Sequence, residues 1–220
     1  MKKGAFFVAL VLTIVVFLVG LLLGFYLESW RQADLETVLS NSEVNLLDEQ
    51  LRGEISQKFD IDCTIAVSNT FAFADRIYAE SLSLEEYDTA SKFQNQLKSL
   101  HKRYDILRTI LWLQSIDLKK KCPGEFHTLV YLYEYNAETV KTKALQVAMG
   151  KQLEELKNKY PGDVLLIPIA GNMNVDSINL IKENENIRSL PVIIVDENTK
   201  ISELLEMKEL ENVVFNYNKQ

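Results

Sequence analysis

The chain has 220 residues, 47% of them hydrophobic, with 24 Lys and Arg against 31 Asp and Glu, a net charge of −7. That apolar fraction excludes wholesale disorder and suffices for one large domain or two small ones. The acidic balance argues against nucleic acid, whose binders cluster cations to displace counterions from phosphates, and against a polybasic grip on anionic lipid.

From Gly4 to Leu27 there is no charged residue, and Phe6 to Leu23 is nearly all aliphatic or aromatic. At about 1.5 Å per residue such a helix crosses the roughly 30 Å hydrocarbon layer, so the lipid bilayer is the expected partner of residues 4–27. A cleaved signal peptide shares the basic start at Lys2 and Lys3, but its apolar run is shorter and ends in a small-residue cleavage site. Here the run ends in Gly24-Phe25-Tyr26-Leu27, with Tyr26 and Trp30 where interfacial aromatics belong. Residues 1–27 therefore read as a cytoplasmic tip and an uncleaved transmembrane helix. Lys2 and Lys3 place the N-terminus in the cytoplasm by the positive-inside tendency, and the bulk of the chain becomes extracytoplasmic. Gly20 and Gly24 have the Gly-x-x-x-Gly spacing that lets two membrane helices approach, a candidate homodimer contact.

Residues 28–123 read as a helical stalk and helical region. Val44, Leu47, Leu51 and Ile55 recur at three and four residues among polar neighbours, the stripe of an amphipathic helix. Asp60-Ile61-Asp62 interrupts it, with Asp62 as N-cap of a second helix through Ile65, Phe71 and Ile77. Ser83-Leu84-Glu85-Glu86 has the form of a capping box and predicts the start of a third helix, with Leu97, Leu100, Tyr104, Leu107 and Leu111 along its apolar side. Lys119 to Lys121 suit that helix's negative pole, and Pro123-Gly124 stops it. The stripes are short and interrupted, which favours three helices packing on one another over a coiled-coil surface.

The two cysteines, Cys63 and Cys122, both lie in this region. Three readings stand for them: a structural disulfide suited to an exported domain, two buried thiols, or a redox pair despite their separation. No metal-ligand spacing and no cofactor motif accompanies them. His101 and His127, the only histidines, have no nucleophile motif beside them and are expected at exposed or edge positions.

From residue 124 the periodicity changes. Thr128 to Tyr133 reads as a buried strand, Glu138 to Lys159 as a helix, and Val164 to Ile169 as a second apolar strand in which Pro168 cannot donate to the ladder. Strand, helix, strand at this spacing predicts a right-handed crossover and parallel pairing. A short helix over Asp176 to Lys182, a strand after Pro191, a very short strand at Lys200 and Ile201 and a last helix over Ile201 to Leu210 complete the order.

The run Asn186-Ile187-Arg188-Ser189-Leu190-Pro191-Val192-Ile193-Ile194-Val195-Asp196 resembles the signature of thioredoxin-like domains, in which a short Ile-Arg-Ser-x-Pro run sets a cis-proline beside the redox site and enters a central strand. The resemblance covers roughly His127 to Val214, and the final hairpin is short for the family. It implies an α/β fold: an N-terminal transmembrane helix and helical region followed by a thioredoxin-like βαβαβ(β)α domain over 124–220. It also implies what is missing. Where the family carries Cys-x-x-Cys, this chain has Ala137 and Val140, and no cysteine follows Cys122. Thiol-disulfide exchange at that helix is excluded, because neither residue forms a thiolate.

What the resemblance leaves is recognition. Family members pair an extended peptide with the backbone of the residue before the cis-proline, here Leu190 before Pro191, with Ala137 and Val140 bordering the groove. The expected function is thus a membrane-anchored extracytoplasmic protein whose non-catalytic thioredoxin-like domain serves binding or scaffolding toward a protein or peptide partner. An accessory oxidoreductase using Cys63 and Cys122, and a purely structural component of a membrane complex, are the alternatives.

Overall fold

A computed structural model describes residues 3–88 and 94–216. The chain divides into two compact units, Met1–Asn45 and Leu46–Gln220. The first consists of the greater part of helix α1 (Lys3–Lys58), which also contributes its last turns to the second. Within it, Phe6–Leu27 has a mean hydropathy of 3.2 and no residue buried against protein, and is long and apolar enough to cross a membrane. Residues apolar on every side of a helix call for an apolar surrounding. Tyr26 is exposed at its end, and the side chain of Trp30 lies outside the described residues.

In the second unit, α2 (Cys63–Asp88) and α3 (Gln94–Lys121) precede β1 (His127–Tyr133), α4 (Val140–Lys159), β2 (Val164–Ala170), α5 (Asp176–Asn184), β3 (Val192–Val195), β4 (Thr199–Ile201) and α6 (Met207–Asn216). Asp62 caps α2: its Oδ1 accepts the Thr64 and Ile65 N–H groups at 2.9 and 3.3 Å. The capping box does not start a helix. α2 runs on through Ser83–Glu86 to Asp88, and the expected third helix begins at Gln94 instead. Ser81 shows how α2 accommodates serine near this point, its hydroxyl donating back to the Tyr78 carbonyl at 2.9 Å.

The α1 stripe is a second correction. Leu47, Leu51 and Ile55 face outward, Leu47 at 64% exposure, while Glu49 is buried at 1%. A close approach to α3 selects the polar face. A Cβ on Gly53 would run into the Gln114 amide, which donates to the Glu49 carbonyl at 2.6 Å. The cysteines are joined, S–S 1.97 Å, tying the start of α2 to the end of α3.

The sheet has the order β2-β1-β3-β4, with β1 parallel to β2 (His127↔Val164 to Tyr133↔Ala170) and antiparallel to β3 (Leu129↔Val195 to Leu132↔Val192), and β4 antiparallel to β3. α4 makes the crossover between the parallel pair. Pro168 lies on the edge strand β2, where a missing N–H costs least. On one face Leu129, Tyr131, Ile193 and Val195 pack with Met149, Leu153 and Leu156 of α4 and with Leu210 and Val214 of α6. α3 touches β1, β2 and α5. α2 and α3 ahead of Pro123-Gly124 and the sheet after it thus belong to one compact unit, so the change of periodicity at residue 124 marks a boundary in sequence rather than in space.

Candidate functional site

Antiparallel pairing of β1 with β3 brings the chain leaving β1 and the chain entering β3 to the same end of the sheet. Leaving β1, Glu134 and Tyr135 have their backbones taken up by side-chain amides. Gln146 of α4 accepts the Glu134 N–H at 2.9 Å and donates to its carbonyl at 3.1 Å; Asn172, after β2, does the same for Tyr135 at 2.7 and 3.1 Å. The Tyr135 ring lies 4.8 Å from that of His101 on α3. Thr139 then caps α4, accepting the Thr142 N–H at 3.0 Å. Ala137 is half-buried in this loop, and Val140, the first residue of α4, is 85% exposed.

Entering β3, the Leu190–Pro191 peptide is cis, Pro191 is buried and Leu190 half-buried. Leu190 sits on Gly171, where an added Cβ would come within 2.9 Å of Leu190 Cδ1 and push that side chain aside. Lys182 donates to the Gly171 carbonyl and accepts, through its own carbonyl, the Ile187 N–H at 2.8 Å, fixing the approach to the proline. The N–H and carbonyl of Leu190 make no hydrogen bond among the described residues. Nor does any hydrogen bond join Leu190 to Ala137 or Val140 there. The arrangement can offer one peptide unit without an internal hydrogen bond, beside an aliphatic surface.

The other end of the sheet holds a polar cluster that the sequence reading did not foresee. Lys119 Nζ donates to Thr128 Oγ1 at 2.7 Å, Asp196 Oδ1 at 2.9 Å and Glu197 Oε2 at 2.5 Å. Thr128 gives its N–H to Asp196 Oδ1 at 2.9 Å and its hydroxyl to Glu197 Oε1 at 2.7 Å, and Trp112 Nε1 donates to the same Oε1 at 3.3 Å. His127 Nδ1 stands 2.6 Å from Asp196 Oδ2 and donates to it. Burial alone would raise the Asp196 pKa, but the bonds from His127, the Thr128 N–H and Lys119 outweigh it and hold the carboxyl at about 2. Asp196 and Glu197 are both in the left-handed region, φ 45° and 64°, in the turn closed by the Asn198 N–H to the Val195 carbonyl at 3.0 Å. Non-glycine residues there cost of order 1 kcal/mol each, and the anchored carboxylates offset that cost.

Two expectations change as a result. His127 is not an exposed histidine but a largely buried member of this cluster, its side chain 16% accessible. Lys119 does more than complement a helix pole. Its two neighbours diverge, Lys120 to Asp117 on the surface at 2.9 Å and Lys121 to the Ser56 carbonyl. An oriented histidine is half of a base-assisted site, yet among the described residues the His127 ring has no hydrogen bond besides the one to Asp196, and Thr128 is held by Lys119 and Glu197. No group of three His, Cys, Asp or Glu among the described residues is placed to hold a metal.

Near the disulfide a cavity of about 220 Å³ lies between the end of α1, α2 and α3, lined by Arg52, Ile55, Asn69, Gln114 and Leu118. No protein-family model matches this chain, and no curated protein matches it significantly.

Proposed function

We propose that this chain is a membrane-tethered extracytoplasmic binding module, whose C-terminal part is a thioredoxin-like domain without redox chemistry that receives an extended polypeptide along Leu190. The fold reading is supported by the strand order β2-β1-β3-β4 with its one parallel pair, and by the cis Leu190–Pro191 peptide opening β3. The observation that carries the function is the unengaged backbone of Leu190 at the end of the sheet, the donor and acceptor that strand addition requires. Extracytoplasmic placement is supported by the Cys63–Cys122 bond, which persists in oxidising compartments. Cys122 is 4% exposed, which favours a brace over an exchanging redox pair.

Hydrogen exchange on the full chain in nanodiscs tests this reading, with an alternating Thr-Val decapeptide as probe. The Leu190 N–H exchanges freely without the peptide and at least tenfold more slowly with it. A Leu190 amide already protected in the free chain would leave only a structural role for this end of the sheet.

A further inference from the structure

The outward face of α4 carries a pattern that its own fold does not use. Val140, Ala144 and Val147 recur at four and three residues and are exposed, Val140 at 85% and Val147 at 52%, while Met149, Leu153 and Leu156 on the opposite side fill the core. Small and aliphatic residues at this spacing form a helix-packing surface. The charges beside the stripe are ordered: Lys141 and Lys143 in the first turn, Glu154 and Glu155 three turns later. All four are exposed, and none of their side chains has a hydrogen bond or ion pair among the described residues. By contrast, Lys157 and Lys159 just beyond are engaged with Asp75 and Glu211 at 2.6 and 2.7 Å. Lysines at a helix N-terminus also oppose the helix dipole, so isolated α4 gains nothing from this order.

We infer that α4 pairs antiparallel with α4 of a second copy of this chain, about a twofold axis close to Ala148. Turning α4 about that point lays Lys143 opposite the partner's Glu154 and Lys141 opposite the partner's Glu155, each pair twice by symmetry. The angular positions agree: at 100° per residue, Lys143 and Glu154 flank one side of the stripe, and Lys141 and Glu155 the other. Ala144 and Ala148 leave room at the centre for the methylene stem of the partner's Lys151, whose ammonium extends to water. The larger stripe of α1, Leu47, Leu51 and Ile55, has no such self-complementary rim; Asp48 and the Glu54–Lys58 pair beside it select no occupant.

One helix face is smaller than the roughly 800 Å² per partner of a stable complex, so the pairing is weak between free domains. Confinement of copies to a membrane plane by the apolar helix is what populates it. The inference is independent of the Leu190 reading, and neither test bears on the other.

Single-cysteine variants of the full chain in liposomes, oxidised with copper phenanthroline, decide it, since Cys63 and Cys122 are already paired. Val147→Cys lies beside the axis and forms a linked dimer at least fivefold faster than Val140→Cys, whose two copies stand roughly 24 Å apart at 1.5 Å per residue. In the Val147→Cys background, Lys143→Glu or Glu154→Lys lowers the linked fraction several-fold, and the two together restore it. Residues 143 and 154 are too far apart on one helix to compensate within a copy. Equal linking at Val140 and Val147, or a double reversal that stays as low as the singles, would overturn the pairing. Association through Gly20 and Gly24 alone would give neither the position dependence nor the charge rescue.

Discussion

Helix α3 is fastened to the sheet at two points that solve the same problem in opposite ways. Near its end, Lys119 enters the cluster of Thr128, Asp196 and Glu197, where each carboxylate oxygen meets at least one donor. About halfway back along the helix, Asp105, 1% exposed, accepts the Ala170 N–H at the end of the edge strand at 3.0 Å, while its Oδ2 has no hydrogen-bond partner. Asp105 is buried and Asp196 largely so, yet Asp196 is held at about 2 and Asp105 is pushed up to about 6, by burial that Arg108, 3.6 Å away, and the Ala170 bond only partly counter. Burial fixes the size of the penalty, and the number of donors fixes the sign of the shift. Glu49 on α1 follows Asp105, raised to about 7 by its burial despite Arg52 at 2.8 Å.

The largest break in this comparison comes from Lys119→Met. It leaves Asp196 and Glu197 facing each other without their shared cation, and the cost is about 3 kcal/mol, somewhat below that of a fully buried pair because the site keeps slight solvent access. Thermal denaturation of the domain should show a fall of roughly 6–10 °C. Lys120→Met, which loses only the exposed Asp117 pair, moves the transition by about 1 °C or less. Similar shifts for both would mean that the cluster adds nothing beyond a surface pair. The pH dependence has its own sign. Asp196 has a depressed folded pKa, so its stabilisation is complete above the ordinary value of 3.8 and is lost as pH falls through about 2.

Asp105 titrates the other way. Its folded pKa of about 6 lies above the ordinary 3.8, so between those values the native state holds a proton that the unfolded chain has released, and stability declines as pH rises through that window. Asp105→Asn removes the titration while keeping an acceptor for the Ala170 N–H. Urea denaturation at a series of pH values should show the decline between about 4 and 6 flattened and the variant about 2 kcal/mol more stable at pH 7.5. The share due to Glu49, which runs on to about pH 7, persists in the variant as an internal reference. An unchanged slope below pH 6 would show that the Asp105 carboxyl is better satisfied than its geometry indicates.

Local rules made much of the second unit legible. The strands beginning near Thr128 and Val164, their parallel pairing through α4 and the strand after Pro191 follow from apolar runs, Pro-Gly punctuation and spacing. The cap at Asp62 was legible for the same reason, being settled within three residues. Apart from the capping box at Ser83, what failed depended on a distant neighbour. Leu47, Leu51 and Ile55 form a good apolar stripe, and only the approach of α3 at Gly53 decides that the opposite face turns inward. Lys119 and Asp196 lie 77 residues apart, and nothing near either one marks the other. Of the candidate site, sequence pointed to Leu190 and Pro191 by resemblance, but Gly171, which seats Leu190, belongs to another loop.

The smallest effect tests the weaker fastening at its margin, where α2 meets Arg108. Ser81 accepts from Arg108 Nη2 at 2.7 Å, and Arg108 in turn leans on Asp105. Losing one hydroxyl acceptor for a guanidinium should cost about 1 kcal/mol in Ser81→Ala, read by the same denaturation series. Two residues on, Ser83 has the sequence of an N-cap but stands in the interior of α2. Ser83→Ala should therefore gain about 0.3 kcal/mol from helix propensity, whereas an N-cap would lose about 1. Opposite signs at Ser81 and Ser83 would place the worth of this stretch in its contact with α3 rather than in starting a helix. A loss at Ser83 as large as that at Ser81 would instead mean that α2 breaks there, and that Arg108 and Asp105 are braced by a shorter helix.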